Sequence, residues 1–297
     1  MLIRSESYST RGESLPGTPC KMNEDRTVAA HKTYAVIDGA TDRMGKEINA
    51  MTPGAFVADY VHRTLTNLAQ QPDYIETEAG LLLAGINRAF GENLEKYHPH
   101  LLKDGYQSGP VASAAFLRLH EDGTFSYATV GDCFLVVLRK DGNISVCPPE
   151  EKPEHLEKPR LEHMMTLFKD NKLAFQDMMK DEKAQEMYLA YLGELNKSIG
   201  VINGDPNMEN LMNGGRVSLG DVAALVLMTD GMLMPGLPEP EGAQVAARQI
   251  LEHGISAYGT SLEAMYNKDP DRTEYPRFKH RDDMTAMALV FEEIKLN

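Results

Sequence analysis

Five Asp-Gly pairs occur along the chain, at Asp38, Asp104, Asp122, Asp141 and Asp230. Asp-Gly is the ordinary chemistry of a tight hairpin turn, and Asp122 and Asp141 fit it, because a strand-like run precedes each and another follows. Asp38 and Asp230 fit less well. Each closes an apolar run, YAVI and ALVLMT, and the residues that follow, ATDRMGKE and MLMPGLPE, do not return as an alternating strand. Two further acidic positions share this placement: Asp132 follows TFSYATVG, and Asp282 with Asp283 precedes TAMALVF. Four carboxylate positions so far apart in sequence could meet at one sheet edge, where their repulsion would be costly without cations. Hard oxygen ligands select Mg²⁺ or Mn²⁺ over zinc. The plainer alternative is that scattered acids are solvated.

The elements that must place these acids follow from periodicity. Period-two or continuously apolar runs at Thr33 to Ile37, Ala112 to Leu119, Thr124 to Val130, Phe134 to Leu138, Ala223 to Met228 and Thr285 to Phe291 predict strands. The middle three, joined by Glu121-Asp122-Gly123 and Gly131-Asp132 and followed by Asp141-Gly142, predict an antiparallel meander in one sheet. Helical spacing runs from Phe56 to Leu68 and from Ile75 to Leu94, and again near Gln244 to Glu252, which ends at His253-Gly254. Strands and helices segregate in blocks, so the expected class is α+β, not a repeating βαβ sheet. The stretch Pro148 to Ser198, rich in Glu, Lys and Met, reads as helices outside the sheet. With no repeat and no long linker, residues 1–297 are expected to form one domain with a helical insertion at about 148–200.

Composition narrows the function. The 297 residues are 42% hydrophobic and 25% charged, a globular composition. Thirty basic against 44 acidic residues give a net charge of −14, which repels polyphosphate backbones and anionic membranes. Trp is absent, so no stacking platform for single strands is expected either. Nucleic acid and membrane are not expected partners. Cys20, Cys133 and Cys147 form no CxxC pair, and no apolar run approaches the roughly 20 residues that span a bilayer. A cytoplasmic setting is expected.

Five segments, in order, resemble the motifs of the type 2C (PPM) metal-dependent serine/threonine protein phosphatases: MNEDR at Met22 to Arg26, YAVIDG at Tyr34 to Gly39, YATVGDC at Tyr127 to Cys133, LVLMTDGM at Leu225 to Met232 and RDDMTAMALVF at Arg281 to Phe291. The resemblance implies a central antiparallel β-sandwich flanked by helices, in four αββα layers, with metals in a cleft at one end. It further implies that Asp38 bridges two Mn²⁺ or Mg²⁺ ions and that the Gly39 carbonyl binds one of them. Asp230 and Asp282 would complete the second ion's shell, and Asp132 with Asp230 would hold a third. Glu24 and Asp25 would act through metal-bound water. Asp38, Asp230 and Asp282 would thus be the catalytic set, hydrolysing phosphoserine or phosphothreonine through a hydroxide bridging two ions. The 148–200 segment resembles a substrate-recognising flap.

The sequence also departs from that pattern. The family's phosphate-binding Arg falls on Cys20, leaving Lys21 as the nearest cation, with Arg26 or Arg43 as other sources. Lys is a point charge and lacks the bidentate fork of Arg. Ala40 stands where His or Met is usual, Asp283 replaces Asn and Cys133 replaces Ser, where buried packing is the expected role. Two other functions stay open: a catalytically weak or inactive regulatory binding protein on the same fold, and a phosphatase of small molecules.

Overall fold

In the computed structural model, residues 4–40, 47–71, 74, 76–148 and 153–291 are described. In chain order the strands are β1 (Arg4–Thr10), β2 (Glu13–Leu15), β3 (Thr18–Pro19), β4 (Arg26–Ala30), β5 (Thr33–Gly39), β6 (Ala112–Leu119), β7 (Thr124–Val130), β8 (Phe134–Arg139), β9 (Ile144–Cys147), β10 (Asn213–Ser218), β11 (Val222–Met228) and β12 (Met284–Val290). The helices are α1 (Pro53–Ala69), α2 (Ala79–Tyr97), α3 (Glu154–Asn171), α4 (Phe175–Met178), α5 (Glu182–Leu192), α6 (Glu239–His253) and α7 (Ile255–Lys268). Two five-stranded sheets carry the fold, in the orders β1-β12-β11-β8-β9 and β10-β7-β6-β5-β4, and every neighbouring pair is antiparallel.

The strands read as unbroken apolar runs because both of their faces are buried. Along β5, Val36 points into the core between the sheets while Ala35 and Ile37 pack on α1 and α2; along β11, Leu225 and Leu227 face the inter-sheet core while Val226 and Met228 face α6 and α7. The period of two thus supplies two cores per sheet. The helices cover the outer faces, giving the expected αββα layers.

One expectation is overturned. The run from Ala112 to Leu138 is not a single meander: β6 and β7 pair, but β8 lies in the other sheet, between β11 and β9. The far edge of β7 is taken by β10, whose polar sequence NGGRVS gave no strand signal, so β8 has no vacant edge to join. Gly131-Asp132 is therefore the crossing between sheets and not a hairpin turn. Helix α7 and the polar edge strand β1 also escaped the periodicity reading. The proposed helix start at Ile75 falls outside the described residues, and α2 begins at Ala79.

Between β9 and β10 the chain carries α3, α4 and α5. Met164, Met165, Met178 and Met179 form its core with Phe168 and Phe175, and Leu15 and Phe278 pack against that cluster. These methionines are filler for an irregular space.

Leu225 is fully buried between the sheets. Leu225→Ala should lower the unfolding free energy by about 2–5 kcal/mol in urea denaturation; a loss below about 1 kcal/mol would contradict its placement in the central core.

Candidate active site

Antiparallel register brings distant acids to one end of the sandwich. Asp38 lies opposite Ser113 at the start of β6, and Ala114 lies opposite Val130 at the end of β7, so Asp38 and Asp132 emerge from the same sheet end. In the other sheet Met228 lies opposite both Ala286 and Phe134, which sets Asp230 beside the start of β12 and the crossing at Asp132. Asp38, Gly39, Asp132, Asp230 and Asp282 all line one cleft of about 890 Å³. A carboxylate oxygen of Asp38, one of Asp132 and the Cys133 sulfur lie within 4.8 Å of one another.

Backbone contacts hold these loops together. A Cβ at Gly39 would meet the Gly54 carbonyl oxygen at 2.3 Å, so the Asp38 strand end presses directly on the first turn of α1. A Cβ at Gly231 would meet the Asp283 carbonyl oxygen at 1.9 Å, which locks the Asp230 turn against the Asp282 loop. Helix α1 starts at this point because Thr52 caps it, accepting from the Ala55 amide at 3.3 Å with Pro53 following.

Glu24 and Asp25 do not line the cleft but lie buried behind it. Thr52 donates its hydroxyl to Glu24. Thr229 donates to Asp25 Oδ2 at 3.0 Å, whereas Asp25 Oδ1 is buried with no donor among the described residues. Arg26 donates to the Asn23 and Asp25 carbonyls, which makes it a support of the acidic loop and not a cation of the cleft. Asp283 turns away as well: its two oxygens accept from the Gly12 amide at 2.6 Å and the Glu24 amide at 2.7 Å.

The electrostatics register this crowding. Burial, then the charges of Asp25, Asp230, Asp132 and Asp282, push the Asp38 carboxyl well above the usual carboxylate range. Burial and Asp283 do the same to Asp25, and burial with Asp282 raises Asp283. Burial and the neighbouring carboxylates also push the Cys133 thiol up, and burial pushes Cys20 up to about 11. Cys133 packs among Leu135, Leu225 and Leu227, in keeping with its expected packing role.

Lys21, expected to face the phosphate, is more than half exposed and pairs with Glu47 at the cleft's edge. The buried cation beside the acids is Lys279, whose Nζ lies 2.5 Å from Asp282 Oδ1. Burial works against its charge, but Asp282, Glu24, Asp283 and Cys20 overcome that and hold the ammonium well above its ordinary value. Sequence reasoning missed Lys279, although it stands only three residues before Asp282. Arg43 falls outside the described residues. His253 lies at a helix end, and His280 contacts Asn267 outside the cleft.

No protein-family model and no curated protein matches this sequence. Solved structures do match in fold. A bacterial serine phosphatase is 14% identical with all of both chains covered and a TM-score of 0.58. The Mycobacterium tuberculosis serine/threonine phosphatase PstP/Ppp is 15% identical over 98% of this chain and 100% of its own, with a TM-score of 0.56. Stp1 of Staphylococcus aureus is 13% identical over 98% and 96% respectively, with a TM-score of 0.55. The chain therefore has the fold of the PPM-type serine/threonine phosphatases.

Asp25, Asp38 and Asp283 bind protons more tightly folded than unfolded, so their contribution to stability is full below about pH 4 and is lost as pH rises through their raised values. In EDTA the melting temperature should therefore be lower at about pH 8 than at about pH 5, and Mn²⁺ should restore more at the higher pH. A melting temperature in EDTA that rises over that range would remove the crowded acids as its cause.

Proposed function

We propose that the protein is a metal-dependent phosphomonoesterase acting on phosphoserine and phosphothreonine in proteins. The convergence of Asp38, Asp132, Asp230 and Asp282 on one cleft carries this reading. The donor set fits divalent cations: its oxygens are hard, its acids raise one another's proton affinity, and Asp25 Oδ1 is buried without a donor among the described residues. Asp38, the Gly39 carbonyl, Asp230 and Asp282 would hold two Mn²⁺ or Mg²⁺ ions, Asp132 with Asp230 a third, and Glu24 and Asp25 would sit behind them. Bound there, such ions supply acidified water at neutral pH and charge neutralisation at the phosphoryl oxygens.

The chain's own groups do the rest. Lys279 places its ammonium on the cleft wall beside Asp282 and is the cation assigned to a phosphoryl oxygen, a part that Lys21 on Glu47 does not take. Burial raises the Cys133 thiol and pushes Cys20 up to about 11, which disfavours a thiolate nucleophile at either position. The attacking group in this reading is water, in line with the leaving oxygen. The 148–200 segment acts as a flap on the substrate, since Glu157, Arg160, Tyr188 and Tyr191 face the same cleft. We read residues 1–297 as one phosphatase-like domain. Three free thiols suit a reducing, cytoplasmic setting, and no helix among the described residues is long and apolar enough to cross a membrane.

One contact favours the rival reading of a binding protein with weak turnover: the Lys279 ammonium competes with any cation for Asp282. Hydrolysis of a chromogenic aryl phosphate separates the two. Turnover should appear with Mn²⁺ or Mg²⁺ and vanish in EDTA, and Asp38→Asn should cut kcat by orders of magnitude while circular dichroism is retained. Metal-independent turnover, or a near-normal Asp38→Asn rate, would defeat the reading. Lys279→Gln should raise the aryl phosphate KM about tenfold, as loss of one charge-assisted contact would, and lower the Mn²⁺ concentration for half-activation. An unchanged KM would return the phosphate contact to another residue.

A further inference from the structure

Arg160 lies on α3 and faces the cleft that holds the acids, with 7% of its surface exposed. Its guanidinium carbon sits 4.3 Å from the Tyr191 ring centroid and 4.9 Å from that of Phe278. Nη2 donates to both oxygens of Glu157, at 2.9 and 2.7 Å. Nε and Nη1 are buried and have no acceptor among the described residues. A buried donor without an acceptor is costly. Two other arginines are buried but lie away from the cleft: Arg118 gives Nε to Thr33, and Arg272 gives Nη1 to the Phe278 carbonyl and Nη2 to that of Ser14, its Nε having no acceptor among the described residues.

The surroundings define what would satisfy it. Arg160 is the sole arginine among the described residues lining the cleft, set in a wall of Phe175, Tyr188, Leu189, Tyr191 and Leu192. Leu189 is 64% exposed, an apolar surface open to a partner. Stacking on aromatic faces fixes the guanidinium plane, and with Nη2 on Glu157 the donors left for an oxyanion are Nε and Nη1. A peptide laid along this wall meets apolar surface, then one fixed cation.

We propose that Arg160 forms a second oxyanion subsite, which takes an acidic group of the phosphoprotein away from the phosphoryl group being hydrolysed. A side-chain carboxylate and a second phosphate share the required chemistry. Glu157 occupies the fork's outer nitrogen and acts as the competing internal anion. This rests on the phosphomonoesterase reading and adds to it a preference for acidic sequence around the scissile phosphate.

The test compares phosphothreonine peptides in which one Asp, or one phosphoserine, is walked along either side of the target, each against an isosteric Asn or Ser peptide. Wild-type protein with Mn²⁺ should favour the acidic member at one position by about tenfold in kcat/KM, the size of one charge-assisted contact. The Asp and phosphoserine series separate the two sources. Arg160→Gln should collapse the acidic-to-neutral ratio toward unity, and Glu157→Gln should enlarge it, a rise that a merely structural role for Arg160 would not produce. No acidic preference at any position in the wild type, or an equal ratio in wild type and both variants, overturns the subsite. Failure of the phosphatase reading shows separately, as absent aryl phosphate hydrolysis; anisotropy of the labelled acidic and neutral peptides then reads the same ratios as affinities.

Discussion

Like charges gathered at the end of a sandwich are the constraint on which this molecule turns. Two full charges about 5 Å apart at an effective dielectric near 20 repel by about 3 kcal/mol, and the cleft collects carboxylates from four separate segments. Nothing local favours that gathering. It is imposed by the register of β5 with β6, of β6 with β7, and of β11 with both β12 and β8, which fixes where each strand ends. The hydrophobic cores on both faces of each sheet supply the stability that offsets the repulsion.

The acids were legible in the sequence because each closes or opens an apolar run, and a run buried on both faces carries an unmistakable signal. The helices α1, α2 and α6 were legible for the same reason, with α6 marked by His253-Gly254 at its end. Polar edge strands were not. β1 reads RSESYST and β10 reads NGGRVS, sequences whose strand character comes from pairing with β12 and β7. The sheet switch at Gly131-Asp132 was hidden by the same fact, since only the presence of β10 on the edge of β7 sends β8 elsewhere.

Cations proved harder to read than acids. Lys21 is adjacent in sequence to the position where an arginine was expected, yet it is more than half exposed and pairs with Glu47, while the buried cation, Lys279, arrives from the far end of the chain. Proximity along the chain says little once two sheets have folded over one another. Asp283 makes the same point with opposite sign. By its residue type it reads as one more acid for the cleft, but its oxygens are taken by the amides of Gly12 and Glu24. It serves as a clamp on the segment that carries Glu24 and Asp25, and Arg26 and Thr229 fasten the same segment from other sides.

The strand order has a consequence for how such a protein comes into being. β12 is inserted between β1 and β11, so the sheet that begins with Arg4 lies open along its middle until Met284–Val290 is in place. A nascent chain on the ribosome carries Asp38 and Asp132 early, but Asp282 and the clamp at Asp283 emerge only near the end of this segment. Contacts of such long sequence separation form slowly. The acidic cleft is thereby kept unassembled during translation, and a prematurely released fragment holds half of its acids with no partner half to complete them.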